Sequence, residues 1–351
     1  MNTIKIKNFS GDTVEIQTGS GLREVIAKDF GSKEANTASS TAYKRYLSNN
    51  GVTIKDVVRA MGYEDIGKVN VRALLDNDGT KPLFNAIIED GLRMGFEKTS
   101  NWSQLVAETV DSDQLSQQWY YLEDDADGYE LRDVGQGAPI PTGQIKLGDQ
   151  SIKMAKRGRG IEWTDEAKRA NIDMVSLWLR KMGKQLGKQY ENVAIERLLN
   201  GYFSDGSDSA PVLGVATAGT LTLGDIFYAS KHQEQELGFN PNLAIMNLNT
   251  AFKVTNLRDN GAYMYRQELQ DGRYADVVNS QPFISNQVPD NRIILVDTNF
   301  ALVRYSGKGF GVESERSAKT QVEGSYGTEI SEFVPFEKDA RLILAIDQAR
   351  P

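Results

Sequence analysis

The sequence predicts an α+β fold, and three observations support this prediction. The chain opens with the alternating stretch "TIKIKNFSGDTVEIQ", which is typical of two short strands joined by a turn. Apolar residues then recur at steps of three or four between residues 173 and 201, which indicates one long amphipathic helix. From residue 211 onward short apolar strands alternate with helical segments.

Composition narrows the classes of protein to consider. A chain of 351 residues can form two or three units with their own cores. It contains no cysteine, which excludes disulfides and thiolate metal sites, so a reducing cytoplasm is the expected location. No window reaches the roughly 18 apolar residues of a membrane span. The net charge of −8 argues against a simple nucleic-acid-binding domain, which would usually be basic.

The first hundred residues predict a hairpin followed by small helices. The turn of the hairpin is "SGD", and "STAYKRYL" and "TIKDVVRAMGY" have helical patterns. Thr53 is the predicted N-cap of the second helix, with Asp56 three residues later. Pro82 lies in the first turn of a longer helix, whose apolar face comprises Leu83, Ile87, Ile88 and Leu92.

Residues 117–157 have a different character, with strand-like ends and an interior rich in Gly, Asp and Pro. About forty residues with so little apolar surface cannot form a core. We therefore predict a two-stranded arm that leaves the body and returns. Because isolated two-stranded ribbons are marginally stable in water, such an arm should lie on another surface.

The strongest predicted helix covers residues 173–201 and would be roughly 40 Å long at 1.5 Å per residue. Asp173 is its predicted cap, and Gly201 follows its last turn. Gly183 and Gly187 lie one turn apart, which indicates either close packing or tolerated defects. The apolar face of the helix comprises Val175, Leu179, Met182, Leu186, Tyr190, Ala194 and Leu198.

Two neighbouring blocks of the sequence carry opposite charge. Residues 105–135 contain nine acids and one base, whereas residues 151–190 contain ten bases and four acids. We expect acids of the arm to face bases on a neighbouring chain, because complementary charge aligns partners. Direct contact of the basic run "KMAKRGRG" with phosphates is the less favoured alternative. The candidate contact residues are Glu123, Asp124, Asp125, Asp127, Lys153, Lys156, Arg157 and Arg159.

A second basic surface follows from the helical spacing. Arg180, Lys184 and Lys188 lie opposite the apolar face of the long helix. This basic face is a candidate DNA-facing or inter-subunit surface.

The sequence offers no convincing catalytic, cofactor or metal site. "SGKGFG", residues 306–311, lacks the spacing of a phosphate-binding loop and predicts a hairpin turn. "EDDADG" begins like a calcium loop, but its twelfth position is Val134 instead of the required Glu, which leaves a solvated or partner-paired acidic face. His232 is the only histidine, and without a G-x-S-x-G motif it is predicted to face solvent on a helix.

The order of these elements resembles that of the major capsid proteins of tailed bacteriophages, which have the Hong Kong 97-type fold. "GQGAPIPTGQIKLGDQSIKMAKRGRGIEW" is similar to the returning strand of the family's E-loop, and "ENVAIERLLNG" to the end of its spine helix. "LAIMNLNTAFKVTNLRDNGAYMY" resembles its axial-domain unit, and "FVPFEKDARLILAID" its closing strand.

The resemblance implies a division of the chain into six parts. The start of the chain departs from the family, because a strand-like beginning at Met1 does not resemble the cleaved helical segment of many relatives. The parts are an N-terminal arm or small added domain (1–75), an N-arm helix with the start of the peripheral domain (76–116), the extended E-loop (117–157), the peripheral domain with its spine helix (158–210), the axial domain (211–325) and the return strand of the peripheral domain (326–351).

The implied function is structural. The chain is expected to self-assemble, as hexamers and pentamers, into an icosahedral virion shell that encloses double-stranded DNA without sequence specificity. Portal, scaffold and decoration proteins are the expected partners, with assembly in the host bacterial cytoplasm and with no cofactor, enzymatic activity or membrane. An encapsulin-like compartment is the alternative with the same fold. A soluble α/β enzyme that uses residues 211–325 is the alternative from a different class.

Overall fold

A computed structural model describes residues 3–17, 20–75, 80–97, 101–112, 114, 116–123, 144–164, 167, 172–259, 261–278, 280–317 and 322–350. The α-helices within these residues are α1 (Ser20–Phe30), α2 (Ser32–Asn36), α3 (Ser40–Asn49), α4 (Ile54–Ala60), α5 (Val71–Leu75), α6 (Lys81–Glu97), α7 (Ile172–Asn200), α8 (Leu223–Gln235), α9 (Leu248–Thr255) and α10 (Arg266–Asp271).

The same residues contain the strands of several sheets, and the strands have the following bounds. They are β1 (Thr3–Lys7), β2 (Thr13–Gln17), β3 (Glu108–Asp111), β4 (Ser116–Glu123), β5 (Gln144–Lys153), β6 (Ala155–Trp163), β7 (Val212–Val215), β8 (Leu243–Met246), β9 (Arg258–Asp259), β10 (Ala262–Tyr263), β11 (Gln281–Ile284), β12 (Arg292–Val296), β13 (Leu302–Ser317), β14 (Val322–Pro335) and β15 (Arg341–Ala349).

Two larger sheets form the body. One has the strand order β11-β8-β12-β15-β7, and the other has the order β3-β13-β14-β6. In the five-stranded sheet β11 runs parallel to β8 and β7 parallel to β15, whereas the remaining pairs are antiparallel. In the four-stranded sheet only β3 and β13 are parallel. The observed mixture of helices and mostly antiparallel sheets is the predicted α+β fold.

The N-terminal 75 residues are folded onto the body. The predicted hairpin is confirmed, with Lys7 opposite Thr13, and so is the predicted capping box of α4. The backbone N–H of Ser314 in β13 donates to the carbonyl of Thr37 at 2.8 Å, and that of Ile172 donates to the carbonyl of Val69 at 3.2 Å. The described residues up to Leu75 therefore pack against the rest of the chain, and their assignment as an arm or a small added domain stays a prediction.

Helix α6 lies at the centre of the first hydrophobic core. Its predicted apolar face is confirmed, because all four of its residues are buried. The same core includes apolar side chains of α1, α3, α4 and α5 and of the first turns of α7.

Helix α7 connects this core to a second one. It begins at Ile172, one residue before the predicted cap Asp173, and it ends at Asn200. The following residue, Gly201, has a φ of 79°, which is the left-handed conformation expected there. Leu179 is buried in the first core, whereas Tyr190 and Leu198 are buried in the second, which also contains one face of the five-stranded sheet. The other face of that sheet is covered by α8 and α9.

Helices α6 and α7 approach each other backbone to backbone. A Cβ added at Gly183 would lie 2.0 Å from the carbonyl oxygen of Leu92, and one added at Gly95 would lie 2.2 Å from that of Arg180. Real Cβ atoms do not approach so closely, so each position requires glycine. Close packing is therefore the correct interpretation of Gly183.

The prediction of a hairpin turn at Ser306–Gly311 is wrong. Strand β13 continues through this segment and pairs with β14 on both sides of it, with register shifts between Ser306 and Lys308 and between Lys308 and Gly311. Glycine-containing β-bulges explain the pattern, because a bulge inserts a residue into a strand without ending it. Gly307 also leaves room for a neighbour, since an added Cβ would lie 2.9 Å from the sulfur of Met154.

The C-terminal half of the chain is divided between the two larger sheets. After β12 the chain leaves the five-stranded sheet, and β13 and β14, which include the expected axial-domain residues 302–325, form the centre of the four-stranded sheet. Strand β15, expected to be the return strand of the peripheral domain, lies between β12 and β7, and the domain boundaries themselves stay predictions. The run "RLILAI" of β15 is buried, which suits a central strand covered on both faces.

The arm begins as the predicted two-stranded ribbon. Strands β4 and β5 pair antiparallel from Ser116 opposite Lys153 to Glu123 opposite Gln144. The expected end of the arm at residue 157 falls inside β6, which belongs to the four-stranded sheet. The centre of the arm, residues 124–143, lies outside the described residues. None of the described helices is long and apolar enough to cross a membrane.

The contact between α6 and α7 leads to a first prediction. Gly183→Ala should lower the free energy of unfolding by about 1–3 kcal/mol, because the added methyl group forces the two helices apart. Thermal or urea unfolding followed by circular dichroism measures this change. Gly224→Ala in α8 is the matched control, since its added Cβ would meet only an ordinary contact at 3.6 Å. An equal loss of stability in both variants would contradict the close-packing account.

Candidate subunit interface

The arm is attached firmly at its root. Ile152 and Met154 are buried on either side of Lys153, and the backbone N–H of Lys153 donates to the hydroxyl of Tyr202 at 2.8 Å. Tyr202 follows the end of α7, so the ribbon leaves the body beside the C-terminus of that helix. From this root the paired strands β4 and β5 extend over about seven residues, which corresponds to a length of roughly 25 Å.

Of the four predicted acids of the arm, only Glu123 is among the described residues. The backbone of Glu123 forms the last described position of β4, opposite Gln144. Asp124, Asp125 and Asp127 lie outside the described residues. Their contacts with a neighbouring chain therefore stay predictions.

The predicted bases separate into two groups. The side chains of Lys153, Lys156 and Arg159 are exposed, as a contact with another chain requires. Arg157 instead donates to the carboxylate of Glu332 at 3.0 Å and to the carbonyl of Ser331 within the same chain. Arg157 is therefore paired within its own chain, and contacts of the four bases with a neighbouring chain stay predictions.

Glu332 forms the centre of a buried ionic network. Its carboxylate is almost completely buried and accepts from Arg157 of β6 and, at 3.3 Å, from Arg197 of α7. A buried carboxylate requires such partners, because an unpaired charge would be strongly destabilising away from water. The network therefore fixes α7 against two strands of the four-stranded sheet.

A second network lies about two turns earlier along α7. The hydroxyl of Tyr190 donates to the carboxylate of Glu329, which also accepts from Arg304 of β13. Burial, and then the nearby charge of Glu329, raises the pKa of Tyr190, so its hydroxyl stays protonated and remains a donor. The guanidinium of Arg304 also lies 5.0 Å from the centre of the Trp102 ring.

Arg341 of β15 secures the C-terminal end of α7. Its guanidinium is fully buried and donates to the carbonyls of Arg197 at 2.9 Å and Leu198 at 3.1 Å, and to that of Asp208. These carbonyls belong to the last turn of the helix and to the following loop, where backbone acceptors need partners from outside the helix, although that of Arg197 also accepts from the backbone N–H of Gly201 at 3.0 Å. Burial lowers the pKa of Arg341 to about 10, so the side chain remains charged at neutral pH.

A concave surface lies between α7 and the β6 side of the four-stranded sheet, and we call it the α7–β6 groove. Its volume is about 820 Å³. Half-buried apolar side chains form its floor, namely Ile161, Met182, Leu186, Val193 and Phe310. Exposed polar side chains line its rim, namely Lys156, Arg159, Gln185 and Gln189.

The predicted basic face of α7 is present. The side chains of Arg180, Lys184 and Lys188 are exposed, as is that of Lys181. Leu177 and Trp178 are exposed on the same helix, at 71% and 66% of their full surface. Large apolar side chains so exposed are typical of contact surfaces.

The remaining sequence candidates are "EDDADG" and His232, and the first lies outside the described residues apart from the backbone of Glu123. Within the described part of the chain, no group of three or more His, Cys, Asp or Glu side chains is close enough to bind a metal ion. His232 was predicted to face solvent, but it is half-buried and stacks on the ring of Tyr228 at 6.0 Å.

Sequence reasoning missed both buried networks. The stretch "GTEISEF" places Glu329 and Glu332 in what reads as an ordinary half-exposed strand. Their partners Arg304, Tyr190 and Arg197 come from distant parts of the chain. The apolar neighbours of these acids were the only available signal, and they do not identify the partners.

Comparison with known proteins identifies the class to which this fold and surface belong. The family model described as "Phage capsid protein" matches residues 148–335, which is more than half of the chain. No curated protein sequence matches.

Solved capsid structures share the fold at low sequence identity. The capsid of the native GTA particle is 15% identical with a TM-score of 0.55, and the match covers 73% of this chain and 91% of that chain. A protein of Microbacterium phage Oxtober96 is 12% identical with a TM-score of 0.53, covering 70% and 91%. The virus-like particle from Pyrococcus furiosus is 12% identical with a TM-score of 0.50, covering 74% and 99%.

The chain belongs to the phage capsid protein family. Its fold is the Hong Kong 97-type capsid fold, and its role is that of a structural major capsid protein of a tailed bacteriophage, located in the virion shell. Such proteins self-assemble into oligomeric shells. The encapsulin-like alternative is less supported, because the matching family model describes phage capsids.

The network around Glu332 leads to a second prediction. Glu332→Gln keeps the shape of the side chain but leaves Arg157 and Arg197 without a neutralising carboxylate. We expect a loss of about 3 kcal/mol in the free energy of unfolding. Urea unfolding measures it, with Glu234→Gln as the control, because the Lys231–Glu234 pair is exposed on α8 and should contribute less than about 1 kcal/mol. Equal effects of the two substitutions would refute the structural role of the network.

Proposed function

We propose that this capsid protein forms a closed icosahedral head around double-stranded DNA, and that each copy lays its arm on an adjacent copy. The ribbon of β4 and β5 supports this proposal most directly. A two-stranded ribbon alone is marginally stable in water. Among the described residues, neither strand of the ribbon packs extensively against another element. A neighbouring subunit would supply the surface that the arm lacks.

Charge supports the same arrangement. The arm carries an acidic block, and the exposed bases Lys153, Lys156 and Arg159 lie where the ribbon joins the body. Opposite charges on adjacent copies favour the correct orientation during assembly and disfavour other contacts. Because the chain contains no cysteine, many such overlaps must stabilise the shell without disulfides.

The units of the shell and the partners of the protein are proposed from its membership of the family. Hexamers and pentamers would be the units of the shell, with portal and scaffold proteins, and further decoration proteins, as partners in the host cytoplasm. The protein would have no enzymatic activity. Packaged DNA would be contacted without sequence specificity, and the basic face Arg180, Lys184 and Lys188 is the candidate surface for it. A net charge of −8 suits this role, since strong adhesion would hinder movement of the genome.

A charge reversal tests the proposed role of the arm. Replacing Glu123, Asp124, Asp125 and Asp127 together by Lys should abolish or strongly reduce shell formation, because the arm would repel the bases of its neighbour. Electron microscopy and sedimentation measure assembly, while circular dichroism shows that the subunit remains folded.

The control reverses four exposed acids of the N-terminal unit, Asp12, Glu24, Asp29 and Glu64, and so changes the net charge equally. Normal shells from the arm variant would exclude the proposed charge pairing. A loss of shells in both variants would show that the effect depends on net charge rather than on the arm.

A further inference from the structure

A second concave surface lies in the N-terminal unit, and we call it the Phe9 groove. It is lined by α3, α4, α6 and the first turns of α7, with Phe9 of the β1–β2 turn beside them, and its volume is about 770 Å³. Phe9 and Met94 are exposed at 77% and 53% of their full surface. Large apolar side chains so exposed beside an apolar floor indicate a contact surface. Buried and half-buried aliphatic side chains form that floor, namely Leu47, Val52, Ile54, Ile66, Ile87 and Ile172.

The charged side chains that line the Phe9 groove define its partner. They are the bases Lys44, Lys55, Arg93 and Arg180 and the acids Asp65 and Asp90. Lys44 pairs with Asp90 at 2.6 Å, whereas Lys55, Arg93 and Arg180 are exposed. Phosphates of double-stranded DNA would neutralise these bases but would leave the apolar floor uncovered. A partner that is both acidic and apolar would match the floor and the rim together.

The chain itself carries an acidic and apolar surface between β14 and β15, and we call it the aromatic turn. It comprises Phe300 and residues 336–339, "FEKD". The backbone N–H groups of Phe336 and Glu337 donate to the carbonyls of Ala301 and Phe300, each at 3.1 Å. These bonds hold the two Phe residues in one patch, in which Phe300 is exposed at 46% and Phe336 at 49%.

The acids Glu337 and Asp339 give the aromatic turn its negative charge, with Lys338 between them. Burial, and then the neighbouring charge of Asp339, raises the pKa of Glu337. A positive charge from a partner would favour the ionised form of both carboxylates. The aromatic turn therefore suits a basic acceptor.

Two other patches with exposed aromatic side chains lie beside bases instead. The Nζ atom of Lys181 lies 5.4 Å from the centre of the Trp178 ring, and the guanidinium of Arg350 lies 4.3 Å from that of Tyr228. Either patch would bring positive charge to the basic rim of the Phe9 groove. Repulsion between like charges disfavours both as occupants.

The Phe9 groove and the aromatic turn lie at opposite ends of α7. Ile172 and Arg180 line the groove, whereas Arg341, two residues after the aromatic turn, donates to the carbonyl of Leu198. At 1.5 Å per residue, Arg180 and Leu198 are about 27 Å apart along the helix. The groove and the turn of one copy are therefore too far apart to meet.

We infer that the Phe9 groove of one copy binds the aromatic turn of a second copy. Phe300 and Phe336 would cover the apolar floor, while Glu337 and Asp339 would face the exposed bases of the rim. Because the contact joins two different surfaces of the same chain, its repetition can close the rings proposed above as hexamers and pentamers. The inference rests on that proposed function and adds a contact in which the arm takes no part. Most residues of the groove precede residue 148, where the match to the family model begins, so the contact does not follow from the family.

Disulfide crosslinking between copies tests this contact, because the natural chain has no cysteine to interfere. One preparation carries Ser48→Cys, at an exposed position in the lining of the groove, and a second, with a longer tag, carries Lys338→Cys in the aromatic turn. The two are co-assembled, oxidised mildly and separated on non-reducing gels. We expect covalent dimers that contain one chain of each kind. Lys55→Cys, in place of Ser48→Cys, allows for a shifted position of the turn in the groove.

Asn49→Cys is the matched control for the acceptor. Asn49 is exposed on the same helix, one residue after Ser48, but it does not line the groove. A yield of mixed dimers with Ser48→Cys or Lys55→Cys that is several-fold higher than with Asn49→Cys would support the inference. Intact shells with no crosslink to either groove position, or with equal crosslinking to Asn49→Cys, would overturn it.

A further substitution tests whether the aromatic rings enter the groove. Phe336→Ala is introduced beside Lys338→Cys while both acids are kept, and Phe252→Ala, at an exposed position of α9, is the control. We expect Phe336→Ala to remove most of the crosslinked product and Phe252→Ala to retain it, whereas equal yields would contradict insertion of the rings. Circular dichroism shows whether each variant is folded, and Phe300→Ala serves the same purpose if Phe336→Ala is not.

The experiment also separates this contact from the proposed function. Failure of the unsubstituted protein to form shells would refute the proposed function. Shells that form normally without the specific crosslink would refute only the contact between the Phe9 groove and the aromatic turn.

Discussion

The backbone contact between α6 and α7 is the constraint on which the rest of the structure depends. Gly95 and Gly183 allow the two helices to approach until main-chain atoms touch, and this contact fixes the position of α7 relative to the N-terminal unit. The same helix then passes into the second core through Tyr190 and Leu198. Because α7 belongs to both cores, its position determines how the five-stranded sheet is placed relative to α6. A shift at the glycines would therefore be transmitted to the root of the arm.

Buried charges hold the C-terminal half of this helix to the sheets. Glu332 and Glu329 connect α7 to the four-stranded sheet, and Arg341 connects its last turn to β15 of the five-stranded sheet. Hydrogen-bonded ionic groups require a defined geometry, whereas apolar contacts tolerate small displacements. A shell subunit must present its contact surfaces at fixed angles to several neighbours. The three networks give α7 a single position, and the arm leaves the body beside its end.

Local features of the fold could be predicted from the sequence, whereas long-range pairings could not. The hairpin, the cap at Thr53 and the length of α7 follow from patterns within a few residues of each other, and the structure confirms them. The position of β15 in the five-stranded sheet could not be predicted, because it depends on β7 and β12, which are distant in sequence. "SGKGFG" was misinterpreted because glycines form bulges as readily as turns. At the candidate interface the charge pattern predicted exposed bases. The ion pair between Arg157 and Glu332 could be seen only in the three-dimensional structure, because the two residues are far apart in sequence.

In the proposed arrangement a single copy is incomplete, and its arm becomes stable only on another copy. A cryo-electron microscopy reconstruction of particles assembled from the purified protein would show this contact or its absence. We expect a closed shell in which density for the β4–β5 ribbon continues over an adjacent subunit. A small discrete species, or a shell in which each arm folds back against its own body without touching its neighbour, would contradict it.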